Sequence, residues 1–163
     1  MAKHNLYNAV NDITQEGYDN LVTELDELVA VKRKEVAERL KEAISYGDLS
    51  ENAEYDAAKD EQAELEERIN FLEARIRGAN VVNSEELTAD VVSVGLKVKV
   101  KDLESKEEMN FTIVGSTEAD PFNGKLSSES MIGRSLLGKK RGEKVEIQIP
   151  DGSSRYKILS IEK

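Results

Sequence analysis

The sequence predicts an α+β chain, with a helical hairpin in its first half and a small twisted sheet carrying one short helix in its second. Three observations predict this. Apolar residues recur at steps of three and four up to about residue 79, and at steps of two from about residue 96. The two helical stripes are separated only by a short break at Gly47, which leaves room for nothing but an antiparallel return. Charged residues make up 34% of the chain and aromatics 5%, too polar for one well-filled globule and suited to a long exposed helical arm.

Residues 1–13 read as a weakly ordered lead-in. Thr14 is placed to cap a first helix, with Gln15 and Glu16 in the favourable first turn. Its stripe runs Tyr18, Leu21, Leu25, Leu28, then through Lys32 to Val36, Leu40 and Ala43. Lys32 interrupts the seam, and the successive four-residue steps around it resemble a stutter. The second helix is regular: Tyr55, Ala58, Gln62, Leu65, Ile69, Leu72, Ile76 and Ala79 form a heptad seam. At ~1.5 Å per residue each helix spans about 40 Å. Small residues at Ala43, Ala53, Ala57 and Ala58 keep the far end narrow.

Gly78 and Asn80 are suited to stop the second helix, and residues 80–90 read as a linker. Residues 1–83 thus form the helical arm, with an acidic tip near 47–55, and residues 84–163 the globular part. There, Leu96 to Lys101 alternates strictly, Phe111 to Val114 is a second strand, and Lys144 to Ile149 alternates again. Pro150-Asp151-Gly152 turns the chain into a last strand, Tyr156 to Ile161. Ser130 to Leu137 suits a short helix closed by Gly138. Gly115, Gly124, Gly133, Gly138 and Gly142 lack phosphate-loop spacing and read as turns.

The formal charge is -10 and unevenly placed. Residues 1–83 hold 10 Lys/Arg against 19 Asp/Glu, and residues 84–163 hold 13 against 14, so the arm carries nearly all the excess. That sign argues against ordinary duplex binding, which needs cations to displace counterions, and no sequence-specific DNA binding is expected. An acidic arm is drawn to a basic cavity. With no cysteine, disulfides and thiolate metal sites are excluded. No apolar run approaches the roughly 20 residues that span a membrane, and the N-terminus lacks an apolar signal core. A soluble, cytoplasmic protein without membrane contact is expected.

The candidate site is the tip, Gly47 to Tyr55, which projects Asp48, Glu51, Asn52 and Glu54. Asp48 and Glu51 are three apart and share a face if they enter the second helix. Such a pair suits Mg²⁺ or a positioned water. It equally has the form of a capping box, with Ser50 as a rival cap. A metal site owned by this chain alone is not expected, because a hairpin tip offers too few ligands for octahedral Mg²⁺. The lone His4 lies in the lead-in, and the serines have no base nearby, so nucleophilic catalysis is not expected. Lys139-Lys140-Arg141 is either a solvated turn or a small basic contact patch.

The tip Gly47-Asp48-Leu49-Ser50-Glu51-Asn52-Ala53-Glu54-Tyr55, followed by Ala57-Ala58-Lys59, closely resembles the signature of the bacterial GreA/GreB transcript cleavage factor family. Thr14-x-Glu16-Gly17, Glu24-Leu25, Glu118-Ala119-Asp120 and Ile132-Gly133-Arg134-Ser135-Leu136-Leu137-Gly138-Lys139 fit the same pattern. The resemblance implies an N-terminal antiparallel coiled coil and a C-terminal domain of the FKBP-like sheet class. It implies a partner, bacterial RNA polymerase. The globular domain would hold the rim of the secondary channel through Asp120, Ser130, Ile132 and Arg134, while the coiled coil reaches the active site. There Asp48 and Glu51 would help hold the polymerase's second Mg²⁺ and orient a water, so that the polymerase hydrolyses backtracked RNA near its 3′ end. No cofactor is implied for the factor alone, and it would be an accessory to another enzyme. Ser50, Asn52, Tyr55 and Lys59 would contact the RNA end or polymerase, Tyr55 by stacking unless it simply opens the heptad seam.

Three positions depart from the family pattern. Ile44 and Asp56 weaken any basic patch facing RNA, which looks more like the GreA subtype, and Met131 replaces a usual proline before Ile132. Some relatives with altered acidic tips inhibit polymerase, but Asp48 and Glu51 are intact here. Cleavage is therefore favoured over a channel-binding inhibitor. A holdase chaperone would want an apolar tip, and here Leu49 is the main apolar group.

Overall fold

Alternation of period becomes alternation of structure. The computed structural model describes residues 11–48 and 52–163. The chain divides into two compact units, one formed by Asp19–Gly78 and the other by the residues up to Tyr18 together with Ala79–Lys163.

The helical stretch opens where the cap was expected: Gly17 N–H donates to Thr14 Oγ1 at 3.1 Å, the bond that satisfies one orphan donor of a helix start. Helix α1 (Gln15–Glu27) passes into a π-helical segment, Leu28–Lys32, and then into α2 (Arg33–Ser45). The stutter explains the π turn. Four-residue steps overshoot a turn of ~3.6 residues, so an uninterrupted α-helix would rotate its stripe off the seam. A wider turn absorbs the excess residue. Lys32 is exposed and reaches Glu35 at 3.3 Å, while Val36 is buried again. Helix α3 (Ala53–Gly78) returns along this partner. Its Leu65 and Ile69 are buried with Val36, and Leu25, Leu28 and Leu40 pack against them. The expected heptad seam is thus the one that is buried.

The second unit holds strands β1 (Asp12–Thr14), β2 (Asn80–Val82), β3 (Lys97–Asp102), β4 (Glu108–Val114), β5 (Lys125–Ser127), β6 (Lys144–Ile149) and β7 (Gly152–Glu162), with helix α4 (Met131–Leu136). The main sheet has the order β5-β4-β3-β7-β6. Its pairs are antiparallel except β4 with β5. Alternate residues Val98 and Val100, Val145 and Ile147 point inward and meet Ile113, Ile158 and Leu136 in one core. The small sheet domain with one short helix is as expected.

Three expectations are corrected. Asp12 and Ile13, assigned to the loose lead-in, are ordered: with Thr14 they form β1, which pairs in parallel with β2, and both are buried. Residues 80–82, assigned to a linker, are that partner strand. Pairing across nearly 70 residues leaves no local period to read. Gly133 is not a turn but lies within α4, where a β-carbon would stand 2.1 Å from the Ser127 carbonyl oxygen. Gly115 does open a turn, its carbonyl accepting from Glu118 N–H at 3.0 Å, and is close-packed as well, 2.9 Å from the Asp12 carbonyl oxygen by the same measure. Gly138 does close the short helix in the left-handed region, at φ 77°.

Candidate functional site

At the tip, α2 ends at Ser45, and Gly47 turns the chain at φ 102°. Asp48 follows, exposed and outside any helix. Leu49, Ser50 and Glu51 lie outside the described residues, so the expected pairing of Asp48 with Glu51 falls there too. The capping expectation is corrected. Among the described residues the cap of α3 is Asn52, not Asp48: its Oδ1 accepts from Tyr55 N–H at 3.1 Å. Its Nδ2 donates to the Ala43 carbonyl at 2.6 Å. An amide is both donor and acceptor, so one side chain starts α3 and ties it to the end of α2. An ionised aspartate could accept at this cap but not donate. Because α3 begins only at Ala53, Asp48 does not ride on its first turn.

Behind the tip, Tyr55 is half-buried at the first seam position, with Lys59 Nζ 5.9 Å from its ring centroid. Tyr46 is exposed and donates to Glu42 at 2.9 Å. That hydrogen bond to a carboxylate, with the charge of Glu42 behind it, raises the phenol above its ordinary value of 10.0. Ala43, Ala53, Ala57 and Ala58 line a shallow cleft of about 400 Å³, consistent with a slim hairpin end. Further back, Arg33 forks onto Glu66 at 2.8 and 2.8 Å, Arg68 onto Glu24 at 2.8 and 3.0 Å, and Arg39 pairs with Glu61.

The other predicted residues gather around β5 and α4. Asp120 precedes a 3₁₀ turn, Pro121–Asn123, and exchanges backbone hydrogen bonds with Lys125 at 2.9 and 3.0 Å. Ser130 caps α4, accepting from Gly133 N–H at 3.1 Å and donating to the Ser127 carbonyl at 2.7 Å. Ile132 packs on the sheet core, and Arg134 is exposed, donating to the Glu129 carbonyl at 3.0 Å. Ser130 and Ile132 therefore shape this surface, while Arg134 projects from it.

Sequence reasoning gave Glu118 no role. Its carboxylate accepts from Gly115 N–H at 3.1 Å, from Thr14 N–H at 3.2 Å and from the Thr14 hydroxyl. It also fills the space over Gly17, where a β-carbon would fall 2.1 Å from its Cδ. Thr14-x-x-Gly17 and Gly115-x-x-Glu118 are the two halves of this contact, but nothing local joins motifs some hundred residues apart. Among the described residues, no group of three or more Asp, Glu or His is placed to hold a metal ion, and no helix is long and apolar enough to cross a membrane.

The description "Transcription elongation factor, N-terminal" of the GreA_GreB_N family matches residues 11–81, and "Transcription elongation factor, GreA/GreB, C-term" matches residues 87–163. The chain belongs to the GreA/GreB family of transcription elongation factors. Its GreA relatives include the transcription elongation factor GreA of Clostridioides difficile, 58% identical over 149 residues that cover 91% of this chain and 94% of the relative. GreA of Alkaliphilus oremlandii is 54% identical with the same coverage. Among solved structures, the GreA factor homolog 1 (Gfh1) protein of Thermus thermophilus is 26% identical, with 93% of this chain and 98% of that one covered and a TM-score of 0.43. The N-terminal GreA/GreB match starts beside β1 and ends within β2, so it takes in β1 and the first two residues of its partner strand.

Proposed function

We propose that this elongation factor is an accessory of bacterial RNA polymerase that promotes the polymerase's own cleavage of backtracked RNA. The hairpin would enter the secondary channel, and the surface bearing Asp120, Ser130, Ile132 and Arg134 would hold the rim. The observation that carries the reading is the tip. A stably capped, alanine-narrowed hairpin end leads directly into exposed Asp48 at the projecting turn.

Asp48 and Glu51 would add two oxygen ligands to a second Mg²⁺ held mainly by the polymerase. That metal, when bound, supplies Lewis acidity and lowers the pKa of a bound water. Glu51, Ser50 and the half-buried Tyr55 would stand near the RNA 3′ end. Lys59, already close to the Tyr55 ring, would contact phosphate. Asn52 contributes chiefly by fixing where the tip leaves the helices. Such a factor acts in the cytoplasm and needs no catalytic centre of its own.

The test is a stalled, backtracked polymerase complex carrying labelled RNA. Wild-type protein is expected to accelerate release of short fragments. Asp48→Asn with Glu51→Gln is expected to slow that release at least about tenfold, ~1.4 kcal/mol of transition-state stabilisation, while still competing for the channel. Binding without fragment release by the wild type would make it an inhibitor instead.

A further inference from the structure

The run from Arg134 to Lys144 is anomalous in so acidic a chain. It holds five cations, Arg134, Lys139, Lys140, Arg141 and Lys144, and one acid, Glu143, whereas the whole chain carries -10. All five cations are exposed. Among the described residues none of them forms an ion pair with a carboxylate, in contrast to Lys99, which meets Glu108 at 3.1 Å. Glu143 is engaged with backbone: its Oε2 accepts from Lys140 N–H at 3.0 Å. The loop is also fixed. Gly138 N–H donates to the Val92 carbonyl, Val92 N–H to the Lys139 carbonyl and Gly142 N–H to the Ile158 carbonyl, at 2.9, 2.9 and 2.8 Å. Between α4 and β6 a groove of about 400 Å³ has Leu137 and Val145 in its lining, with Arg134, Lys139 and Lys144 around it and Glu146 as its acidic member.

We infer that this groove docks an acidic protein segment, and that its bearer is the polymerase, so the inference rests on the function proposed above. Cations held unpaired on a rigid loop repel one another unless a partner's charge meets them, and such patches act mainly on encounter rate. Protein is favoured over nucleic acid on two grounds. Single-strand binders interleave cations with aromatic stacking platforms, and no aromatic occurs between Phe122 and Tyr156. A duplex site relies on a wide field of phosphate contacts, and the rest of this half of the chain is net acidic. A part-apolar groove rimmed by cations instead fits carboxylates alternating with apolar side chains.

The experiment follows association of full-length protein with bacterial core polymerase by stopped flow, from about 50 to about 500 mM KCl. The quadruple variant K139Q/K140Q/R141Q/K144Q is expected to associate about tenfold or more slowly at the lowest salt and to converge with wild type at the highest. A control, K97Q/K101Q/K157Q, removes cations from other strands and is expected to associate like wild type. Equal rates for the quadruple variant and wild type at low salt would overturn the docking site, as would equal slowing by the control, which signals net charge alone. Tight binding of a single-stranded RNA or duplex DNA probe that is lost in the quadruple variant, with polymerase association unchanged, would assign the groove to nucleic acid and overturn the protein partner. If the wild type fails to bind polymerase at any salt, the proposed function itself falls.

Discussion

Asn52 concentrates the logic of the hairpin end in one side chain. Its oxygen takes an orphan N–H of α3, and its nitrogen donates to the Ala43 carbonyl near the end of α2, which also accepts from Tyr46 N–H. Loss of a cap costs ~1 kcal/mol, and here the second bond goes with it. Asn52→Ala is expected to lower the stability of the helical unit by about 1–2 kcal/mol. Asn52→Asp, which keeps the accepting oxygen and loses the donor, should fall between. Thermal melts followed at 222 nm check the order; equal melting of all three proteins would remove Asn52 from the account. A second residue-scale fact is steric. Gly17 lies under Glu118 and Gly133 against Ser127, so both family-pattern glycines are there for close approach, not for a left-handed backbone.

At the scale of elements, the hairpin joins an apolar seam to flanking Arg–Glu pairs. Glu66 is held below its ordinary 4.5, first by the hydrogen bond from Arg33 and then by that cation's charge, with burial opposing. A carboxylate with a lowered folded pKa contributes stability that is present above its unfolded pKa and lost as pH falls through the folded value. The difference in urea midpoint between wild type and Glu66→Gln is therefore expected to be small and favour wild type at neutral pH, because the pair is exposed. It should begin to shrink as pH falls below about 4.5 and vanish once pH is below the lowered folded value. A gap that widens in acid would contradict the sign. The elements also divide by legibility. The α3 seam and the alternating β3 and β6 were readable because their period is local and long enough to repeat. The π turn was foreshadowed as a stutter at Lys32. Strands β1, β2 and β5 span three residues each, too few to show a period, and they are strands only because distant backbone pairs with them. At the tip the sequence named Asp48 and Asn52 as projecting residues but misassigned the cap, since Asp, Ser and Asn all suit that role and the Ala43 carbonyl that Asn52 also serves lies nine residues away.

At the scale of the whole chain, each of the two units contains an apolar cluster. The sheet core uses Val92, Val94, Leu96, Val98, Val100, Ile113, Leu136, Val145, Ile147, Ile158 and Ile161, with no residue of Asp19–Gly78 among them. The seam of the hairpin uses Val36, Leu65 and Ile69. Strands β1 and β2 belong to the sheet unit although the hairpin lies between them in sequence, and Glu118 binds β1's last residue, Thr14. A chain in which residues 19–78 are replaced by a Gly/Ser linker of about ten residues, long enough to bridge a parallel strand pair, should therefore fold. Its sheet amides are expected to keep their hydrogen-exchange protection, and its unfolding should remain cooperative. Protection lost throughout β3, β4 and β7 would mean that the hairpin supplies stability that the core residues do not reveal. If the unit folds, it also separates roles: under the proposed function it should still associate with polymerase in a salt-dependent manner through the 134–144 surface, while stimulating no RNA cleavage, because the carboxylates of the tip are gone.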